Sequence, residues 1–111
     1  MASSVRMPTH LWVEAKIREL SAQAIGVYVL QKGEKNDGTV LLKISNTKGE
    51  CKLLIQQRNL NGLLEWVNAL SEEIITEQKA DEYVGRSIDR DPDLWVIELE
   101  SSEMNNLFLE S

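Results

Sequence analysis

The chain has 111 residues, 42% of them hydrophobic and 27% charged, with a formal net charge of −6. This length fits one domain whose core needs no metal or disulfide, and the composition excludes a wholly disordered chain. The acidic balance repels phosphate backbones, the opening MASSVRMPTH lacks the apolar stretch of a secretory signal, and no run reaches the roughly 18 apolar residues of a membrane span. Neither nucleic acid nor membrane is therefore expected as a partner, and the expected location is cytoplasmic.

No repeat or linker divides the chain, so residues 1–111 read as a single domain, with 1–7 and 101–111 as partly flexible tails. Residues 9–25 read as a helix. Pro8 and Thr9 provide the start, Thr9 as N-cap, and Trp12, Val13, Ile17, Leu20 and Ala24 recur at helical spacing before Gly26 closes the segment. From Gly26 the period changes to two. GVYVLQKG, TVLLKIS, ECKLLIQQ and LNGLLEWVNAL read as four strands, separated by the turns GEKNDG and NTKG and by the hairpin signal Asn61-Gly62. Short turns join antiparallel neighbours, which predicts a meander.

Residues 77–90 read as a second helix, capped by Thr76, with Ala80, Val84 and Ile88 near one face; Ile74 and Ile75 belong to the connection before it. Pro92 ends this helix. LWVIELE is a fifth strand, with Trp95, Ile97 and Leu99 on one face and Leu94, Val96, Glu98 and Glu100 on the other. The expected fold is α+β, in the order α-β-β-β-β-α-β, with two helices packed on one face of a mainly antiparallel sheet. In the polar tail, Leu107, Phe108 and Leu109 are the residues able to dock.

DRDPDLWVIELE, residues 89–100, places Asp89, Asp91, Asp93 and Glu100 at positions of a calcium-binding loop. The sixth position, where such a loop needs glycine, is Leu94. An extended run would also hold Glu100 about 23 Å from Asp93 at roughly 3.3 Å per residue. The stretch is a turn around Pro92 followed by a strand, with Asp91 and Asp93 accepting backbone N–H bonds.

Other chemistry-bearing residues are sparse. Cys51 is the sole cysteine, which excludes an internal disulfide and a cysteine zinc site, and it sits in an apolar alternation. His10, the sole histidine, has no matching nucleophile motif, and no serine lies in a Gly-x-Ser-x-Gly context. Trp12, Trp66 and Trp95 fall in apolar patterns and read as core anchors. Lys32, Lys35, Lys43, Lys48 and Lys52 lie on neighbouring strands and turns, where a basic patch for nucleic acid is the minor alternative; they read as lysines on solvent faces and sheet edges. The one polar constellation is Arg86, Arg90, Asp91, Asp93, Glu98 and Glu100, with Glu14 and Arg18 four apart on the first helix. It reads as a structural ion-pair network. The sharper alternative is a carboxylate-rich pocket for Mg²⁺ or a basic ligand.

Four segments carry a family resemblance: RMPTHLWVEAKIR, KGEKNDGTVLLKI, LNGLLEW and ADEYVGRSIDRDPDLWVIELE. In order, from about residue 6 to residue 108, they resemble a small alphaproteobacterial family known as domain of unknown function 1491. An arginine near Arg86 and an Asp-Pro-Asp-aliphatic-Trp run matching Asp91 to Trp95 are shared. Gly33-Glu34 stands where the family more often has Gly-Asp, and the lysine-rich turn is less typical. The resemblance implies a compact cytoplasmic protein and carries no catalytic residue with it.

The expected function is that of a non-catalytic protein-interaction module, its partner unknown or a second copy, meeting it through exposed strands. The alternative is a small metal-dependent enzyme or ligand binder using Asp91, Asp93, Glu98 and Glu100. No catalytic residue, metal or cofactor is assigned.

Overall fold

The structure, a computed structural model, describes residues 7–108; residues 1–6 and Leu109, Glu110 and Ser111 lie outside the described residues. The elements are α1 (Thr9–Ala22), β1 (Val27–Gln31), β2 (Val40–Ser45), β3 (Glu50–Arg58), β4 (Leu64–Asn68), the two-residue β5 (Ile75–Thr76), α2 (Glu77–Arg90) and β6 (Trp95–Glu100). The fold is α+β, with two helices and a mostly antiparallel six-stranded sheet.

Both helices form where the apolar periodicity places them, but their ends are made differently. At α2 the Thr76 hydroxyl accepts the Lys79 N–H at 3.2 Å, and Glu77 and Arg90 complement the dipole at the two ends. Asp91 and Pro92 stop it. At α1, Thr9 lies inside the helix after Pro8 and caps nothing. Its hydroxyl instead donates to the carbonyls of Asn36 and Gly38, while the N–H groups of Thr9 and His10 donate to Asn36 and Lys35. The β1–β2 link thus satisfies the orphan donors of the first turn. α1 also ends earlier than expected, because Ala24 turns left-handed at φ 62° and the Ile25 N–H bonds back to Leu20 at 3.0 Å.

The sheet order β1-β6-β2-β3-β4, with β5 beside β3, corrects the expected meander. β2, β3 and β4 are antiparallel neighbours as the turns require, but β6 inserts between β1 and β2 and runs parallel to β2. A second correction concerns the helices, which cover opposite faces of the sheet. Val13 and Leu20 of α1 pack on Val40, Leu42, Ile44, Trp95, Ile97 and Leu99. Ala80 and Val84 of α2 pack on Leu41, Leu53, Leu94 and Val96. The physical reason is visible in VLL and WVI, where consecutive apolar residues leave no wet face on either strand. Every residue of β2 is buried. Each fully buried Val, Leu or Ile contributes about 1.5–3 kcal/mol, so these two strands carry much of the stabilising burial.

Residues 101–108 return across the α1 face. Met104 and Phe108 are buried in its core and Leu107 packs against it. No helix among the described residues is long and apolar enough to cross a membrane.

Because β6 lies between β1 and β2, the link joining those two strands must cross the start of β6. There Glu34 N–H bonds to Asp93 C=O, Trp95 N–H bonds to Thr39 C=O, and the Trp95 indole donates to Glu34 C=O at 2.7 Å. Gly33 is the closest approach: a Cβ there would stand 2.3 Å from the Asp93 carbonyl oxygen and 2.6 Å from the Trp95 nitrogen. The Gly33→Ala variant is expected to lose about 1–3 kcal/mol of stability, since backbone on backbone cannot give way cheaply. A urea unfolding curve checks this; an unchanged midpoint would show that the crossing is not tight.

Candidate functional site

The β3–β4 hairpin turns on Asn59 and Gly62. The Asn59 Oδ1 accepts the N–H groups of Asn61 and Leu63, at 2.9 and 3.1 Å, and Gly62 sits at φ 79°. Arg58 donates to the Gly62 carbonyl and braces the tip. The turn is therefore longer than a two-residue Asn-Gly loop, spanning residues 59–63. Its leucines point away from the core: Leu60 is fully exposed, Leu63 63% exposed and Leu64 half exposed.

Between this hairpin, the first turn of α1 and the 36–39 link lies a cleft of about 540 Å³. That volume is within the range of binding pockets. Trp12, Trp66 and Phe108 supply its apolar floor, Trp12 meeting Phe108 edge-on with ring centres 6.4 Å apart. Asn36, Asp37, Gln56 and Arg58 stand among the polar lining. Of the three tryptophans read as core anchors, only Trp95 is fully buried; Trp12 and Trp66 are shared between core and cleft.

On the opposite face, Lys43 is buried with its Nζ 2.7 Å from Asp81, 3.1 Å from Glu77 and 3.5 Å from Glu98. It is not a solvent-face lysine as expected, since α2 covers that face of β2. Nor does it share a patch with Lys52, which lies one residue out of register on the other face and pairs with Glu73. Burial works against the ammonium, but the hydrogen bonds it donates to Asp81 and Glu77 and the charge of Glu98 outweigh it, raising its pKa above the usual lysine range. Nearby, Cys51 is fully buried, and burial pushes its thiol pKa up, which makes it a poor nucleophile.

The six residues read as a polar constellation do not assemble. Asp91 accepts the Asp93 N–H at 3.0 Å, forming the turn around Pro92. Arg86, Arg90, Asp91 and Asp93 are exposed, and neither arginine makes an ion pair among the described residues. Glu98 joins Lys43, whereas Glu100 lies 3.5 Å from the Tyr28 hydroxyl. Glu14 faces His10 and not Arg18. No group of three His, Cys, Asp or Glu side chains among the described residues is placed to hold a metal ion.

A family model described as Protein of unknown function (DUF1491) matches residues 7–109. The chain belongs to this family. Among solved members, a DUF1491 protein from Caulobacter crescentus CB15 is 28% identical in its crystal structure, with a TM-score of 0.80 over 96% of this chain and 97% of that one. An NMR structure of a DUF1491 protein from the same organism gives 27% identity and a TM-score of 0.78, covering 94% of each chain. A solution structure of an A. tumefaciens protein shares the fold at 21% identity, with a TM-score of 0.71 over 93% and 92% of the two chains. No curated protein sequence matches the chain. These relatives agree with the alphaproteobacterial resemblance and assign no activity to the DUF1491 fold.

Two outcomes follow for the charged groups. Lys43→Met is expected to cost about 1–3 kcal/mol, because three neighbouring carboxylates lose their shared cation. A lysine pKa raised in the fold stabilises it at every pH below the unfolded value and stops doing so as pH rises through the folded one. The gap between wild type and variant, read by urea unfolding, should therefore stay flat from about pH 7 to about pH 10. A gap that closes within that window would show that Lys43 is not held charged. Separately, millimolar Mg²⁺, Mn²⁺ or Ca²⁺ should leave the melting temperature unchanged; a rise of several degrees would return weight to a metal-binding role for Asp91, Asp93, Glu98 and Glu100.

Proposed function

We propose that this protein is a non-catalytic interaction module that receives a partner protein at the cleft between α1 and the β3–β4 hairpin. The observation that carries this reading is the hairpin tip. Leu60, Leu63 and Leu64 stand exposed beside an apolar floor of Trp12, Trp66 and Phe108. Contiguous apolar surface rimmed by polar groups marks interaction sites in soluble proteins, and aromatic residues at its centre are the usual anchors. No catalytic pair supports the enzyme reading with comparable force: His10 faces a glutamate, Cys51 is buried, and the carboxylates at 91, 93, 98 and 100 are dispersed.

The test uses the whole chain. A protein crosslinked through the hairpin face in a lysate of its own cells is purified and titrated by calorimetry against wild type and the Leu60→Ser/Leu63→Ser variant. The variant should bind at least about tenfold more weakly, a loss of about 1.4 kcal/mol. Its unfolding midpoint should barely move, because exposed substitutions change stability by about 0.5 kcal/mol or less. Equal affinity for both chains, or no protein crosslinked through that face, would overturn the reading.

A further inference from the structure

The sheet ends at β4, and the hydrogen-bond pattern shows which of its backbone groups are free. In an antiparallel pair, bonded and non-bonded residue pairs alternate. Asn59 N–H bonds to Leu63 C=O and Ala69 N–H bonds to Leu53 C=O, so in the register Leu54↔Asn68 to Arg58↔Leu64 the bonded residues of β4 are Glu65 and Val67. The N–H and C=O groups of Leu64, Trp66 and Asn68 consequently point outward, away from β3, with no partner among the described residues. The side chains of Leu64 and Trp66 line the cleft. The same residues thus offer an open ladder and an apolar wall.

The other edge of the sheet is less suited to this. β1 carries a register shift between Val29 and Gln31, and the Gln31 side chain is tied to the carbonyls of Asp91 and Leu94. Bulges blunt an edge against pairing. β4 has no lysine, proline or bulge; its one charge is Glu65, on the face away from the cleft. The Glu65 carboxylate meets only the neutral Gln57 amide, at 3.3 Å, and makes no ion pair among the described residues. A second copy of the chain would bring a net charge of −6 to an edge of the same sign, which opposes self-pairing.

We infer that the outer edge of β4 accepts an extended segment of a partner protein as an added antiparallel strand, with apolar side chains on the cleft side and basic side chains beside Glu65. This inference rests on the interaction reading above and names the form the partner takes. Strand addition draws affinity from main-chain bonds and specificity from alternate side chains. In antiparallel addition, the partner residues whose amides face β4 are those whose side chains face the cleft.

The probe is an acetylated, amidated heptapeptide of alternating lysine and valine, titrated into the isotope-labelled full chain and followed by NMR. Shifts and slowed amide exchange should centre on Leu64, Trp66 and Asn68. Methylating the valine amides should abolish binding, whereas methylating the lysine amides should spare it. The glutamate–valine analogue should bind at least tenfold more weakly, and Glu65→Gln should narrow that difference. Equal affinity of the two methylated peptides, shifts centred on β1, or no binding of the parent peptide would overturn strand addition. A concentration-dependent dimer in sedimentation, lost on adding the peptide, would assign the edge to a second copy and overturn the basic-partner inference. If strand addition fails while Leu60→Ser/Leu63→Ser still loses a purified partner, the interaction reading survives without the edge.

Discussion

The parallel pairing of β2 with β6 is the contact on which the remaining structure depends. Val40 to Ser45 and Trp95 to Glu100 lie side by side in the middle of the sheet, with Leu41, Leu42, Ile44, Val96, Ile97 and Leu99 entirely shielded from solvent. Two strands buried on both faces require a cover on each, which places α1 and α2 on opposite sides. They also require that any polar group they carry be matched internally. Lys43 is that group, and its three carboxylate partners come from the covering helix and the neighbouring strand. The ion cluster is a consequence of where β2 sits. Each of its three carboxylates is turned to the one Lys43 ammonium.

The same pairing dictates how the chain closes. β6 arrives last and enters between two strands that were joined earlier, so the 32–39 link has to arch over its beginning. That arch is held by backbone bonds to Asp93 and Trp95 and by the indole of Trp95. Its far side then meets the first turn of α1 through Thr9 and His10. One segment therefore fixes the register of β6, caps a helix and forms a wall of the cleft. Packing at the centre and the geometry of the candidate site are coupled through it.

Local features of this architecture could be read from residue patterns, and non-local ones could not. α2 is bounded by Thr76 and Pro92 because capping and proline chemistry act within a few residues, and the Asp91 turn is legible for the same reason. The insertion of β6 is a contact between segments some fifty residues apart, invisible to turn chemistry; the consecutive apolar residues of VLL and WVI were its available sign. Lys43 shows the same limit. Alternation puts it opposite Leu42 and Ile44, which reads as a wet face unless a second helix is known to lie there. The polar constellation failed for a related reason: proximity along the chain groups Arg90 with Asp93, whereas strand direction carries Glu98 and Glu100 away from both. The cleft is assembled from α1, the arch, the hairpin and Phe108, and no single stretch signals it.

What separates the hairpin from the remainder of the surface is that folding does not explain its composition. Asn59 and Gly62 make the turn, one by accepting two backbone N–H bonds and the other by adopting a left-handed φ. Leu60 contributes nothing to either and touches no core; a serine or lysine would serve the turn as well and leave less apolar surface in water. Leu63 is in nearly the same position. Stability accounts for Trp95, Leu42 and Lys43, each of which is buried and matched. It does not account for leucines that remain in water at the end of a regular, unblunted edge strand. In the proposed reading another surface covers them, and the free backbone groups of Leu64, Trp66 and Asn68 beside them suit an extended covering chain.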